Sequence, residues 1–119
     1  MDFVALSKQY EEYIIAMRRD FHAHPELSFR EERTARVVSE QLDRLGIPHA
    51  RLAHNCVVGK LVGGKAEQGG RRLAIRADMD ALPIAEEAEV PFKSENEGVM
   101  HACGHDGHTA MLLGAAAML

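Results

Sequence analysis

The sequence has 119 residues, a formal net charge of -4 and a hydrophobic share of 46%, which is enough for one domain with a buried core. The mild negative charge provides no basic surface for nucleic acid and no polybasic segment for a membrane surface. The acidic start is not that of a signal peptide, and no stretch reaches the length of a membrane-spanning helix, so we expect a soluble, cytoplasmic protein.

The first predicted helix ends near the segment "HAHPEL". Apolar residues recur at helical spacing on one of its faces: Tyr10, Ile14, Met17 and Phe21. Pro25 disfavours helical backbone at the residue before it, which places the helix end there. His22 and His24 then lie near a helix C-terminus, where histidine interacts favourably with the helix dipole. We therefore interpret both histidines as structural residues.

A second amphipathic helix is predicted to follow the segment "SFREE". Ser28 and Glu31 have the spacing of a capping box, in which the serine side chain accepts a hydrogen bond from the first helical turn. The apolar face continues at Ala35, Val38, Leu42 and Leu45. Gly46 is placed to end this helix.

The middle of the chain is predicted to form strands. β-Branched residues and glycines indicate strands in "IPHARLA" and "CVVGKLVGG", with an exposed turn in "GGKAEQGG". The segment "RRLAIRADMD" is predicted to be a short apolar strand that runs into two aspartates, and residues 82–98 to be a loop. A last helix should begin between Asp106 and Thr109. This order of elements predicts an α/β fold with helices packed on a sheet.

The segment "HACGHDGH" carries the strongest chemical signal. His101, Cys103 and His105 are spaced by two, so in an extended segment their side chains face the same side. Gly104 and Gly107 permit the tight backbone that brings two side chains onto one ion. A thiolate and an imidazole suit zinc or a similar divalent metal, but two ligands do not fill a site of four.

The residues alone leave other interpretations of this segment open. A single histidine near a helix start is usually a surface or capping residue, and Cys103 could be a small buried hydrophobe. Cys103 could instead be a nucleophile with His105 as its base, although no third group orients that pair. A disulfide with Cys56 is disfavoured because two cysteines make no framework, and a free, buried or ligating thiol is the better interpretation.

A second candidate site is the segment "RADMD" at the end of the predicted apolar strand. In open α/β sheets, ligand chemistry gathers outside the carboxyl ends of the strands, so Asp78 and Asp80 could join the downstream cluster in one site. Aspartates at strand ends are also common turn formers, which is the alternative for both residues.

Three segments in this order resemble one family: "FHAHPELSFREE", "IRADMDALPI" and "GVMHACGHDGHTAMLLGAA". They are similar to the metal-dependent amidohydrolases of the aminoacylase and carboxypeptidase G2 superfamily. The branch includes hippurate hydrolases, N-acyl-amino-acid amidohydrolases, N-acetyldiaminopimelate deacetylases and auxin-conjugate hydrolases. The resemblance covers essentially the whole chain. It implies a catalytic α/β domain around a mixed sheet, interrupted by a smaller lid or dimerisation domain.

The resemblance also implies a site. Cys103 and His105 match metal ligands of the family, and Asp80 matches an aspartate that supports catalysis by orienting a metal-bound histidine. Two divalent ions, zinc or manganese and otherwise cobalt or nickel, activate a water, and a glutamate from a later acidic pair takes its proton. The resemblance implies that the substrates are N-acyl amino acids or short peptides and that neither nucleic acid nor a membrane is a partner. Homo-oligomers are possible in the full-length family. The roles of Asp78, His101 and His108 stay open.

The later acidic pair and the further histidine ligands of the family are not in this sequence. We therefore expect residues 1–119 to be the N-terminal portion of the catalytic domain, without the lid or dimerisation domain, and to be inactive by themselves. An apolar stripe on the last helix should favour association: Met111, Leu112, Ala115, Ala116 and Leu119. The alternative is a small non-catalytic domain that binds metal or a partner. Cys56, where the family usually has glycine, is expected to pack in the sheet without a chemical role.

Overall fold

The computed structural model describes residues 2–64 and 70–119. In these ranges the elements are, in chain order, helices α1 (Phe3–Gln9), α2 (Glu11–Ala23) and α3 (Glu32–Arg44), strands β1 (His49–Arg51) and β2 (Val57–Gly59), and helix α4 (His105–Met118). A single 3-10 turn, Ala53–Asn55, joins the two strands. The chain is α/β, as predicted. Most of the turn predicted in "GGKAEQGG" lies outside the described residues.

The core forms where α4 packs against α2 and α3. Its buried members are Phe21, Val37, Val38, Leu42, Ile47, Ala110 and Leu113. Phe21 is completely buried, which agrees with the apolar periodicity that predicts the first helical face. Helices α2 and α4 approach closely at Gly114, where a Cβ atom would lie 2.5 Å from the side chain of Ile14.

Helix α3 begins later than the capping-box pattern predicts. Ser28 lies in a turn closed by the Arg30 N–H and the Leu27 carbonyl at 2.9 Å, so its hydroxyl does not reach the helix. The carboxylate of Glu26 accepts hydrogen bonds from the backbone N–H groups of Arg33 and Thr34, at 2.9 and 2.7 Å. Glu26 therefore replaces Ser28 as the side chain that caps α3.

The end of α3 agrees with the prediction. Gly46 has a φ of 67°, in the left-handed region that glycine adopts without a steric penalty, and its N–H donates to the Asp43 carbonyl at 3.0 Å.

The sheet is smaller than the sequence predicts. Strands β1 and β2 pair antiparallel, with Ala50 opposite Val58. The predicted strand at residues 71–80 does not form, and Leu73 and Ile75 are 85% and 60% exposed. A strand is stabilised by the ladder it makes, and no strand among the described residues lies beside this segment. The mixed sheet is therefore not present in residues 2–64 and 70–119.

Helix α4 begins at His105, one residue before the predicted range, directly after Gly104 with its φ of 93°. Its buried face consists of Asp106, Thr109, Ala110, Leu113 and Gly114. The predicted apolar stripe is only partly exposed: Met111 and Leu119, the residue after the helix, are 55% and 70% exposed, whereas its other members, Leu112, Ala115 and Ala116, are half-buried. Among the described helices, none has the length and apolar character needed to cross a membrane.

Candidate metal centre

The structure brings Asp80 and His105 into direct contact. His105 Nδ1 lies 2.9 Å from Asp80 Oδ1 and 3.0 Å from the Asp80 backbone oxygen. Because both acceptors are oxygen atoms without hydrogen, Nδ1 must carry the proton and donate it. The other ring nitrogen, Nε2, is then left with a lone pair when the ring is neutral. This arrangement is typical of histidines that bind metals, whose second nitrogen donates to a carboxylate.

Asp80 is itself held by a second hydrogen bond. The hydroxyl of Ser28 donates to Asp80 Oδ2 at 2.6 Å. This bond and that of His105 hold the pKa of Asp80 below its usual value, although partial burial opposes them. Asp80 is therefore a charged acceptor at neutral pH, and it stabilises positive charge that develops on His105.

Cys103 lies in the turn that leads into α4, with only Gly104 between it and His105. Both cysteines of the chain are free and exposed. The prediction of a free thiol is confirmed, and the interpretation of Cys103 as a buried hydrophobe is wrong. Cys56 does not pack in the sheet as expected, because it precedes β2 at the surface.

The donor chemistry of this region fits a divalent metal. A free thiol and an imidazole with its Nδ1 proton on a carboxylate are the ligand types that zinc prefers. Within residues 2–64 and 70–119, however, no three side chains of histidine, cysteine, aspartate or glutamate converge to hold an ion. The described residues thus supply part of a ligand set.

The two aspartates of "RADMD" make different side-chain contacts. Asp78 is exposed and its carboxylate pairs with Arg76, with 2.8 Å between Arg76 Nε and Asp78 Oδ1. Only its backbone oxygen reaches α4, where it accepts the hydroxyl of Thr109 at 3.1 Å. Of the two, Asp80 alone contacts His105 with its side chain.

Sequence reasoning missed a cluster of hydrogen-bonded side chains, centred on the buried His22, close to the candidate site. His22 is 4% exposed, and its Nδ1 and Nε2 atoms lie 2.7 Å from Asp106 and 2.8 Å from Glu86. Arg18 also contacts Asp106 at 3.0 Å. His22 is structural, as predicted, but it links α2 to α4 and to the loop of Glu86 and does not stabilise a helix end.

His24 behaves as its position predicts. Its Nδ1 atom donates to the Asp20 carbonyl at 2.8 Å, close to the end of α2. Helix-terminal position was therefore informative for His24 and uninformative for His22, whose partners lie 84 and 64 residues away in the sequence.

The remaining histidines of the motif differ in environment. His101 is 5% exposed, and neither ring nitrogen has a hydrogen-bond partner among the described residues. Burial lowers the pKa of His101, which favours the neutral ring. His108 is exposed, with its ring centroid 5.9 Å from that of His105.

Comparison with known proteins gives a consistent set of relatives. Residues 74–119 match the sequence model of peptidase family M20/M25/M40. An N-acyl-L-amino acid amidohydrolase of Geobacillus stearothermophilus is 59% identical over 104 residues, which are 87% of this chain and 27% of that protein. Thermostable carboxypeptidase 2 of Saccharolobus solfataricus is 50% identical over 114 residues, which are 94% of this chain and 28% of that protein.

A solved structure belongs to the same family as these relatives. The YXEP protein of Bacillus subtilis, described as a dinuclear metal-binding peptidase from the M20 family, has a TM-score of 0.85 and 42% identity. The match covers 92% of this chain and 30% of that one. The chain thus spans between a quarter and a third of the length of these three relatives.

Proposed function

Because the chain belongs to peptidase family M20/M25/M40, we propose that it forms part of a metal-dependent hydrolase that cleaves the amide bond of N-acyl amino acids or short peptides. The relatives named amidohydrolase and carboxypeptidase support this substrate class. The observation that carries the proposal is the contact of His105 Nδ1 with Asp80, next to the exposed thiol of Cys103.

Each of three residues has a role in this proposal. Cys103 and His105 hold a divalent ion through sulfur and through Nε2. Asp80 is a positioning residue that keeps the proton of His105 on Nδ1 and balances the charge on the ring. When bound, divalent ions in such a site acidify water and withdraw charge from an amide carbonyl. The dinuclear description of the Bacillus subtilis relative supports two ions, and a thiolate ligand favours zinc over manganese, cobalt or nickel.

The proposal can be tested by cobalt binding to the purified 119-residue chain. A cobalt thiolate absorbs in the near ultraviolet, so titration of wild-type protein should produce a charge-transfer band. Cys103→Ser should abolish the band, and His105→Gln should weaken binding by at least about tenfold. Cys56→Ser is the matched control, because Cys56 is also free and exposed. Equal binding by wild type and Cys103→Ser would overturn the assignment.

Two further readouts complete this test. Zinc should protect Cys103 from alkylation while Cys56 stays reactive, as followed by peptide mass spectrometry, whereas a nucleophilic thiol would react equally with and without metal. The loaded chain should hydrolyse N-acetyl or N-benzoyl amino acids negligibly, because the described residues supply neither a third ligand nor a general base at the site. Turnover equal to that of a full-length relative would contradict the expected inactivity.

A further inference from the structure

The turn at residues 27–30 contacts the candidate site through the side chain of Ser28. The hydroxyl of Ser28 lies 2.6 Å from Asp80 Oδ2, although 52 residues separate the two in sequence. A serine in a turn usually bonds to nearby backbone groups, which would stabilise the turn alone. Ser28 bonds instead to the carboxylate that contacts His105.

The backbone holds this turn in register with Asp80. Leu27 and Ala81 form a parallel bridge, and the Ala81 N–H donates to the Glu26 carbonyl at 2.8 Å. Glu26 is in turn fixed by its side-chain bonds to the start of α3, including a 2.7 Å bond from the Thr34 hydroxyl. Ser28 is therefore exposed to solvent but carried by an anchored segment.

The turn also contains a strained residue. Phe29 has a φ of 66°, a region that non-glycine residues rarely adopt. Its side chain is 73% exposed, with the ring edge toward His54 at 5.3 Å between centroids. Such strain persists only where the surrounding structure over-determines the backbone, and it concentrates at functional sites. Here it occurs immediately beside the residue that contacts Asp80.

We propose that Ser28 is a positioning residue for the metal ligand His105, acting through Asp80. Its hydroxyl occupies Oδ2 of Asp80 and thereby turns Oδ1 toward His105 Nδ1. The bond fixes the Asp80 carboxylate in one orientation, and this carboxylate, together with the Asp80 backbone oxygen, keeps the His105 proton on Nδ1. The Nε2 lone pair of His105 is then available to a divalent ion. This inference deepens the proposed function and rests on it for the metal, but the effect on the tautomer exists without metal.

The first experiment measures the tautomer of His105 in the metal-free 119-residue chain. Long-range proton–nitrogen NMR of histidine-labelled protein, at about pH 8 where a free imidazole is neutral, should show Nδ1 protonated in the wild type. Ser28→Ala should give a mixture of tautomers, while the backbone amide spectrum away from residues 28, 80 and 105 stays unchanged. Ser28→Thr should restore the wild-type pattern because it keeps the hydroxyl.

Matched variants separate the hydroxyl from other effects. Ser28→Val has nearly the shape of Ser28→Thr without the hydroxyl, so it should behave like Ser28→Ala. Ser7→Ala removes a serine hydroxyl that bonds within α1 and should leave His105 unchanged. Identical His105 nitrogen shifts in wild type, Ser28→Ala and Ser28→Val would overturn the proposal.

The second experiment measures the dissociation constant for zinc with a competing chromogenic chelator. Ser28→Ala should weaken zinc binding by about tenfold, the lower end of the range observed when partners of metal-bound histidines are removed. Ser28→Thr and Ser7→Ala should bind as the wild type does. If the wild type binds no zinc, the proposed function fails, and the tautomer measurement still decides on Ser28. If all variants bind zinc equally, the inference on Ser28 fails and the proposed function stands.

Discussion

Among residues 2–64 and 70–119, the fold lowers the pKa values of two carboxylates, Asp80 and Glu86. For Asp80 the largest cause is the hydrogen bond from Ser28. For Glu86 burial acts in the opposite direction, but hydrogen bonds from His22 and from the Ser94 N–H outweigh it. A folded pKa below the unfolded one means that each carboxylate stabilises the fold above its unfolded pKa. That contribution is lost as the pH falls through the folded pKa.

We predict that Glu86→Gln reduces the acid sensitivity of the fold. Wild-type stability should fall as the pH drops through and below about 4, the range of unfolded glutamate, whereas Glu86→Gln should start lower and change less. Urea denaturation at a series of pH values measures this slope. Glu12→Gln, at an exposed position of α2, should keep the wild-type slope. A slope for Glu86→Gln equal to that of the wild type would contradict the prediction.

The second prediction at the residue scale concerns His22. Its side chain is 6% exposed, and those of Glu86 and Asp106 are 3% and 1% exposed. His22→Ala leaves one of these carboxylates without its imidazole partner and the other with Arg18 alone, so it should cost about 3–5 kcal/mol of unfolding free energy.

Chemical denaturation followed by circular dichroism measures this cost. The control is His108→Ala, which alters an exposed histidine of α4 and should change stability by no more than about 0.5 kcal/mol. Comparable losses for both variants would show that the buried hydrogen bonds of His22 have no special importance.

Functional residues could be recognised from the sequence only where they lie close together in it. His101, Cys103 and His105 stand out because they are crowded into one short segment. Ser28 was marked only as a candidate helix cap, and Glu86 was not marked at all, because their partners lie 52 and 64 residues away. Only the fold brings those pairs together.

At the scale of elements, the helices and the strands β1 and β2 were predictable, whereas the strand at residues 71–80 was predicted and does not form. The periodic apolar faces of α2 and α3 come from the residues themselves, and Gly46 ends α3 as expected. The segment at residues 71–80 has the composition of a strand, but a strand exists only with a partner. The start of α3 was misplaced for a related reason, since its cap comes from Glu26 before the turn.

We predict that Glu26→Ala destabilises α3 more than Ser28→Ala does. Glu26 accepts three hydrogen bonds at the helix start, and the loss of a helix cap costs about 0.5–2 kcal/mol. Ser28→Ala removes no bond to the helix and should change the unfolding free energy by a smaller amount. Thermal and urea unfolding of both variants measure the difference. A larger loss of unfolding free energy for Ser28→Ala would contradict this prediction and support Ser28 as the cap of α3.

At the scale of the whole molecule, apolar side chains remain at the surface. Val62, Leu73 and Ile75 are between 60% and 85% exposed, and Met111 on α4 and Leu119 after it are exposed as well. Exposed apolar surface favours association between molecules where it is contiguous. The surface is consistent with a chain that spans 27% of the length of its amidohydrolase relative.

We predict that the purified chain self-associates at micromolar concentration and that Leu73→Lys together with Ile75→Lys shifts it toward monomer. Both changes replace exposed apolar groups by charges, so they should leave the fold intact. Light scattering coupled to size-exclusion chromatography measures the mass. Val4→Lys on α1, at a residue 68% exposed, is the matched control and should not change the distribution. A monomeric wild type would contradict the prediction.

The contact between Gly114 and Ile14 has a consequence for the candidate site at the start of α4. A methyl group at position 114 would lie 2.5 Å from the Ile14 side chain, so either that side chain rotates away or the helix shifts outward. His105 is the first residue of the same helix, and an outward tilt would lengthen its bond to Asp80. The absence of a side chain at one mid-helix position therefore limits how far apart the imidazole and its carboxylate can lie.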